Sequence, residues 1–241
     1  MKAIFTSAIS SVFKSWGLLV AVGGGGAAVS YGFLQPHLVP REFVVAASLL
    51  VAVGVIIALG RICSWLVSGR TTGSLEILRE NGLNYLGAVI VIGLPLYVLR
   101  VFVVGQLMSG GWYQGFMTGL LVLADVLTVF VLPIVFLKRM SVRAIPTGVV
   151  FLLNNLSGST WIAVFAALAS GVQQAGRLAI VSGTPTRSFA LFVSVGVVGA
   201  LFSFVSYAAA TQYLVGNTRR VSRNNASSKV IDEKGQGPTR V

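Results

Sequence analysis

Asp125 is the one acid inside any long apolar run of this chain, near the centre of the run Trp112–Leu137. An ionisable group at bilayer depth is expensive and marks, by default, a proton relay, an ion site or a ligand counterion. Arg100 lies in the preceding run, Leu83–Leu107. If a turn near Gly110 makes these two runs antiparallel helices, Arg100 sits about ten residues from the turn and Asp125 about fifteen. At ~1.5 Å per residue the two are offset by ~7–8 Å, which an arginine side chain spans. The pair is therefore a candidate intramembrane couple, with a buried structural ion pair or a protonated carboxyl as the simpler reading. Arg177 is the third intramembrane polar candidate, beside Gln173 and Gln174 in a run that is otherwise apolar.

Other chemistry is poorly supplied. There is one His, His37, and one Cys, Cys63. A zinc site takes three or four ligands, so no metal centre is expected. No CxxC or disulfide framework can form from one thiol. The stretch Asn155-Leu-Ser-Gly158 carries a serine, but no late-span His is available as its base. The six acids do not cluster, and no phosphate-binding loop or dinucleotide fingerprint is present. The expectation is a non-enzymatic protein without cofactors.

The elements that position these residues follow from composition. The chain is 55% hydrophobic and 10% charged, with mean hydropathy +0.87, where soluble domains carry roughly 25% charged residues. A membrane helix needs ~20 mostly apolar residues. Six runs qualify: Trp16–Leu34, Phe43–Val67, Leu83–Leu107, Trp112–Leu137, Thr160–Val181 and Phe189–Val215. The fifth is the weakest, and Ile145–Gly171 is its alternative. The first is expected to be an uncleaved anchor rather than a signal peptide, since the chain after it stays hydrophobic. Trp16, Trp65, Trp112 and Trp161 fall near span ends, where amphipathic rings belong.

With the N-terminus inside, fourteen of the eighteen Lys and Arg residues lie on the cytoplasmic side and four on the other. Short cytoplasmic loops carry the excess of positive charge, so both termini are expected in the cytoplasm. The net charge of +12 is then explained by topology and by anionic lipid, not by nucleic acid. Arg219, Arg220 and Arg223, directly after the last span, are expected to rest on lipid headgroups. Residues 1–215 form a transmembrane domain, and residues 216–241 a basic, largely disordered tail.

Two inner connections look alike. The first reads Arg70-Thr-Thr-Gly-Ser-Leu-Glu-Ile-Leu-Arg-Glu-Asn-Gly82, and the second Arg143-Ala-Ile-Pro-Thr-Gly-Val-Val-Phe-Leu-Leu-Asn-Asn155. Each predicts a turn and a short interfacial helix with an Asn stop. In the first, Ser74 would cap the start and Gly82 would end the helix. The fold class is thus an all-α, polytopic bundle of six transmembrane helices with short interfacial helices in the two inner loops. This layout resembles a group of six-span prokaryotic membrane proteins that includes the membrane domain attached to some glycerophosphoryl diester phosphodiesterases. The resemblance implies architecture only, because no phosphodiesterase domain is attached.

Small residues should let the helices approach closely. Gly115 and Gly119 form a GxxxG pair, and Gly54/Ala58, Ala163/Ala167/Gly171 and Gly196/Ala200 give further small faces. Gly23 to Gly26 predict a break or hinge in the first span, each Gly costing roughly 1 kcal/mol against Ala in a helix. The leading expectation is a scaffold or partner-binding subunit of a membrane assembly, with a protein partner or a second copy of the chain, in a cytoplasmic (inner) membrane. The alternative is a transporter or channel subunit that uses Asp125 and Arg100.

Overall fold

The computed structural model describes residues 2–34, 39–99, 111–178 and 185–235. The described residues contain no strand; their helices are α1 (Lys2–Phe13), α2 (Trp16–Leu34), α3 (Arg41–Ser68), α4 (Ser74–Val98), α5 (Gly111–Leu127), α6 (Val131–Lys138), α7 (Ala144–Asn154), α8 (Leu156–Leu178) and α9 (Pro185–Gly235). Among them, five spans are long and apolar enough to cross a membrane, or six if α1 and α2, bent by 79° between them, are taken as one more.

Local chemistry sets the ends and breaks. α3 starts after Pro40 with Glu42 in its first turn, where the helix dipole favours an anion. It ends at Gly69, whose φ of 71° returns its N–H to the Trp65 carbonyl at 2.9 Å. α5 and α6 form one span, Gly115–Lys138, with a turn at residues 128–130. Pro133 cannot donate to the Val129 carbonyl and its ring crowds it, and the Thr128 hydroxyl bonds back to the Ala124 carbonyl at 2.7 Å. α7 ends at Asn154 and α8 starts afresh at Leu156, as the second connection predicts.

The first connection behaves differently. α4 runs without a break from Ser74 through Gly82 to Val98, so no separate short helix forms there. Asn81 is only 7% exposed and is used in packing, not as a stop. Ser74 does not cap the helix with its side chain; its Oγ accepts a bond from Arg61 Nη2 at 3.0 Å.

The first connection meets the end of α6. Arg139, ending α6 with φ 52°, pairs with Glu80 of α4 at 2.8 Å, and its carbonyl accepts from Asn84 Nδ2 at 3.2 Å. The ion pair is open to its surroundings, with side chains 64% and 32% exposed, and such pairs contribute about 0–1 kcal/mol. A double-mutant cycle of Glu80→Gln and Arg139→Gln should give a coupling of at most ~1 kcal/mol that shrinks in high salt. A coupling of ~3 kcal/mol would place the pair in a drier setting than this one.

α9 is the central column, packing against α8, α2, α1, α3 and α6, while α5 packs chiefly on α8 and α4 on α3 and α6. Ala208, Ala209, Ala210 and Thr211 of α9 are fully buried, since side chains this small let neighbouring backbones approach. The glycine run of α2 is not a hinge, because the helix passes through it unbroken. It is a contact surface. A Cβ on Gly23 would stand 2.9 Å from Ala200 Cβ and 3.4 Å from Val197 Cα, and one on Gly196 would strike Ala27. The bend falls instead between Phe13 and Trp16, where the Lys14 ammonium lies 3.4 Å from the centre of the Trp65 ring.

Gly115 and Gly119 do not serve the packing expected of them. Both are exposed, and a Cβ on either meets no described atom within 4 Å. Gly148 is the opposite case: a Cβ there would lie 2.8 Å from Val131 Cγ2 and 2.9 Å from Val131 N. A backbone nitrogen cannot rotate away, so Gly148→Ala should destabilise the protein by about 1–3 kcal/mol. Gly115→Ala should be neutral or slightly stabilising through helix propensity. Thermal unfolding in one detergent ranks the two, and equal effects would contradict the α6–α7 contact.

Arg177 lies in α8, and Arg219, Arg220 and Arg223 in α9; only their backbone is described. α9 runs on past position 216 to Gly235. No Pro or Gly interrupts residues 217–234, and Gly237 and Pro238 follow as the next helix breakers. Arg100 lies outside the described residues, as do residues 236–241.

A polar cavity at Asp125

Three spans each present a pair of polar residues spaced three apart: Asp125 and Thr128 on α5 and its turn, Ser170 and Gln173 on α8, Ser203 and Ser206 on α9. That spacing puts both members on one helix face. In the bundle the three faces converge, with Tyr207, around a cavity of about 190 Å³.

Hydrogen bonding gives the cavity its character. The hydroxyls of Thr128, Ser203 and Ser206 donate to the carbonyls of Ala124, Gly199 and Phe202, at 2.7, 3.0 and 3.0 Å. Their protons are thus committed one turn back along their own helices, and what remains are oxygen lone pairs. Gln173 Nε2 donates to Ser203 Oγ at 3.1 Å, tying α8 to α9.

Ser170 is 3% exposed, and its Oγ has no hydrogen-bond partner of ordinary geometry. Tyr207, 5% exposed, has its hydroxyl within reach of Cys63 and Thr211. The Asp125 carboxyl lies within interaction range of Ser170, while Asp125 itself is exposed at the edge of the cavity. Ser170 thus stands beside the Asp125 carboxyl with no closer hydrogen-bond partner among the described residues, and a buried unpaired hydroxyl costs about 1–3 kcal/mol. The set is rich in acceptors and carries a single acid. It suits a monovalent cation or an ammonium group. No group of three or more His, Cys, Asp or Glu residues is close enough to hold a metal among the described residues.

A second cavity of about 350 Å³ adjoins the first, between α2, α3, α6, α8 and α9. It is walled mainly by apolar residues, including Val22, Gly23, Gly26, Val51, Val55 and Phe192. The two share Leu132, Gln173, Ser203 and Tyr207, so the Gln173–Ser203 bond stands at their junction.

Of the sequence candidates, Asp125 is in this site, Arg100 falls outside the described residues, and the Arg177 side chain is not described. The described partner of Asp125 is Ser170 of α8, and the other residues lining its cavity include Ser203, Ser206 and Tyr207 of α9 and none of α4. Sequence reasoning passed over Ser170, Ser203, Ser206 and Tyr207. The legible signal was the three-residue spacing of polar residues within apolar runs, and hydroxyls alone do not announce it because they also bond back to their own helix.

The fold and the site define a helical, multi-pass membrane protein with a polar cavity among its spans. Comparison of the chain with protein-family models, with curated proteins and with solved structures finds no match.

Proposed function

We propose that this protein is a non-enzymatic, solute-binding membrane protein of the transporter or channel-subunit type, holding a monovalent cation or protonated amine at Asp125. The observation that supports it is the acceptor-rich cavity that Asp125 edges, with the buried Ser170 hydroxyl lacking a hydrogen-bond partner of ordinary geometry. The scaffold reading keeps one support: Gly115 and Gly119 form an exposed, unengaged face on α5, which fits a second copy of the chain. It gives no reason for an acceptor-rich cavity at Asp125, and the cation-binding reading does.

The accompanying topology takes α2 as the first of six spans, followed by α3, α4, α5 with α6, α8, and Phe189–Thr218 of α9, the last five being long and apolar enough to cross by themselves. The excess of positive charge on one side supports both termini in the cytoplasm, with the protein in a cytoplasmic (inner) membrane. α7 lies along the inner surface, and α1, turned 79° from α2, lies across the inner end of the bundle. Arg219, Arg220 and Arg223 then meet anionic headgroups where α9 leaves the bilayer.

The test is ligand-dependent thermal stability in lipid nanodiscs. Sodium, potassium, ammonium and ethylammonium chlorides are compared at equal ionic strength, so that screening contributes equally. A ligand that binds only the folded state adds about 2.7 kcal/mol at a hundred times its Kd, a shift of several degrees. At least one of these cations should raise Tm saturably. A Tm that follows ionic strength alone, whichever cation is present, sinks the reading.

A further inference from the structure

From the two joined cavities we infer that the occupant is an amphipathic amine, with its ammonium group at Asp125 and its apolar chain along α9 toward Phe192. This rests on the cation-binding reading and goes beyond it, because a small cation would fill only the polar cavity. The apolar cavity is the larger of the two, about 350 against 190 Å³. It follows α9 from Phe192 to Tyr207, fifteen residues or about 22 Å of helix. Only its inner end meets the polar site, at Gln173, Ser203 and Tyr207. A space with one charged, acceptor-rich end and a long apolar remainder matches a molecule divided the same way. Dry apolar cavities take up apolar guests, and burial of each CH₂ contributes about 0.8 kcal/mol.

The glycine run supplies the room. Gly23 and Gly26 both line the apolar cavity. Gly23 is there for helix contact, as its nearness to Ala200 requires. Gly26 is not: a Cβ on it would meet only Val51 Cγ1, at an ordinary 3.6 Å. Packing would tolerate a side chain at position 26, and the space it would enter is the cavity. Gly26 is therefore a specificity-determining position, kept small for the ligand's chain.

The experiment is calorimetric titration of the full chain in phosphatidylglycerol nanodiscs, with empty nanodiscs as reference, using ethylammonium, octylammonium and the neutral 1-octanol. Octylammonium should bind at least tenfold tighter than ethylammonium, and octanol should not bind saturably. Gly26→Leu should bring the two amines within about threefold by weakening octylammonium. Ser30→Leu, which intrudes on the same cavity from nearer the outer end of α2, gives the same reading if Gly26→Leu does not fold. Equal affinity for both amines in the wild type, with ethylammonium still dependent on Asp125, would overturn the inference and leave the cation site standing. Binding of both amines independent of Asp125 would overturn both. Competition with lyso-phosphatidylethanolamine separates the sources: displacement of octylammonium identifies a lipid headgroup amine, and no displacement a free amine.

Discussion

Asp125→Asn is expected to weaken cation or amine binding at least 100-fold and to abolish the associated rise in Tm, with little loss of stability in the absence of ligand. Asn preserves the shape and the hydrogen-bonding reach of the side chain and removes only its charge. Thr128, Ser203 and Ser206 offer the ligand neutral oxygens whose protons are bound elsewhere, so the carboxylate is the one full negative charge at the site. Opposite charges ~4 Å apart attract by ~4 kcal/mol at an effective dielectric of ~20, as against ~1 kcal/mol in water. A 100-fold loss corresponds to about 2.7 kcal/mol, within that range after the ligand's own desolvation. Asp125→Glu, which keeps the charge, should retain measurable binding. Ser170→Ala should cost less, roughly 5- to 15-fold, because it removes one neutral partner worth about 1–1.5 kcal/mol. Unchanged affinity in Asp125→Asn would leave Asp125 as a structural residue at the rim of the bundle. It would also return the scaffold reading to first place.

The largest effect on stability is expected from Phe130→Ala, a loss of about 3–5 kcal/mol. Phe130 is fully buried at the turn between α5 and α6, and its ring meets those of Phe151 at 5.0 Å and Tyr213 at 6.0 Å. One side chain therefore joins the broken span to α7 and to the central column α9. Removing it leaves a cavity among elements that α9 and α6 hold in place, so the void cannot readily close. The ring–ring contacts add ~0.5–1.5 kcal/mol each to the burial term. Phe43, on the exposed face of α3, supplies the control, and Phe43→Ala should change stability by less than ~1 kcal/mol. Reversible unfolding in mixed micelles compares the two. Equal losses would mean that the Phe130 cluster is not a core.

Membrane residence, the approximate spans and the all-helical class were readable in the sequence, because they depend on sums over twenty residues. Hydrocarbon thickness and hydropathy act on each run separately, so Phe43–Val67 and Phe189–Val215 each fall inside a helix of the structure, α3 and α9. The break after Asn154 was legible for a local reason, a polar pair between two apolar runs. Continuity through Gly82 was not, because a glycine ends a helix only where the chain needs the left-handed conformation, and here α4 continues into its span. The bend at Lys14 was missed as well, since Lys14 read only as a flanking charge and its contact with Trp65 is tertiary.

The glycines divide along the same line. The sequence determined that small residues were plentiful; the bundle decided which of them touch. Gly23, Gly148 and Gly196 face other helices closely, while Gly115 and Gly119 face no described atom. A GxxxG spacing records that two glycines share a face, and only the arrangement of neighbouring helices says what that face meets. Asp125 follows the same rule. Its cost in a bilayer made it conspicuous in the sequence. That Ser170 of α8 and Ser206 and Tyr207 of α9 surround it was decided by helix packing, which joins residues up to 82 positions apart in the chain.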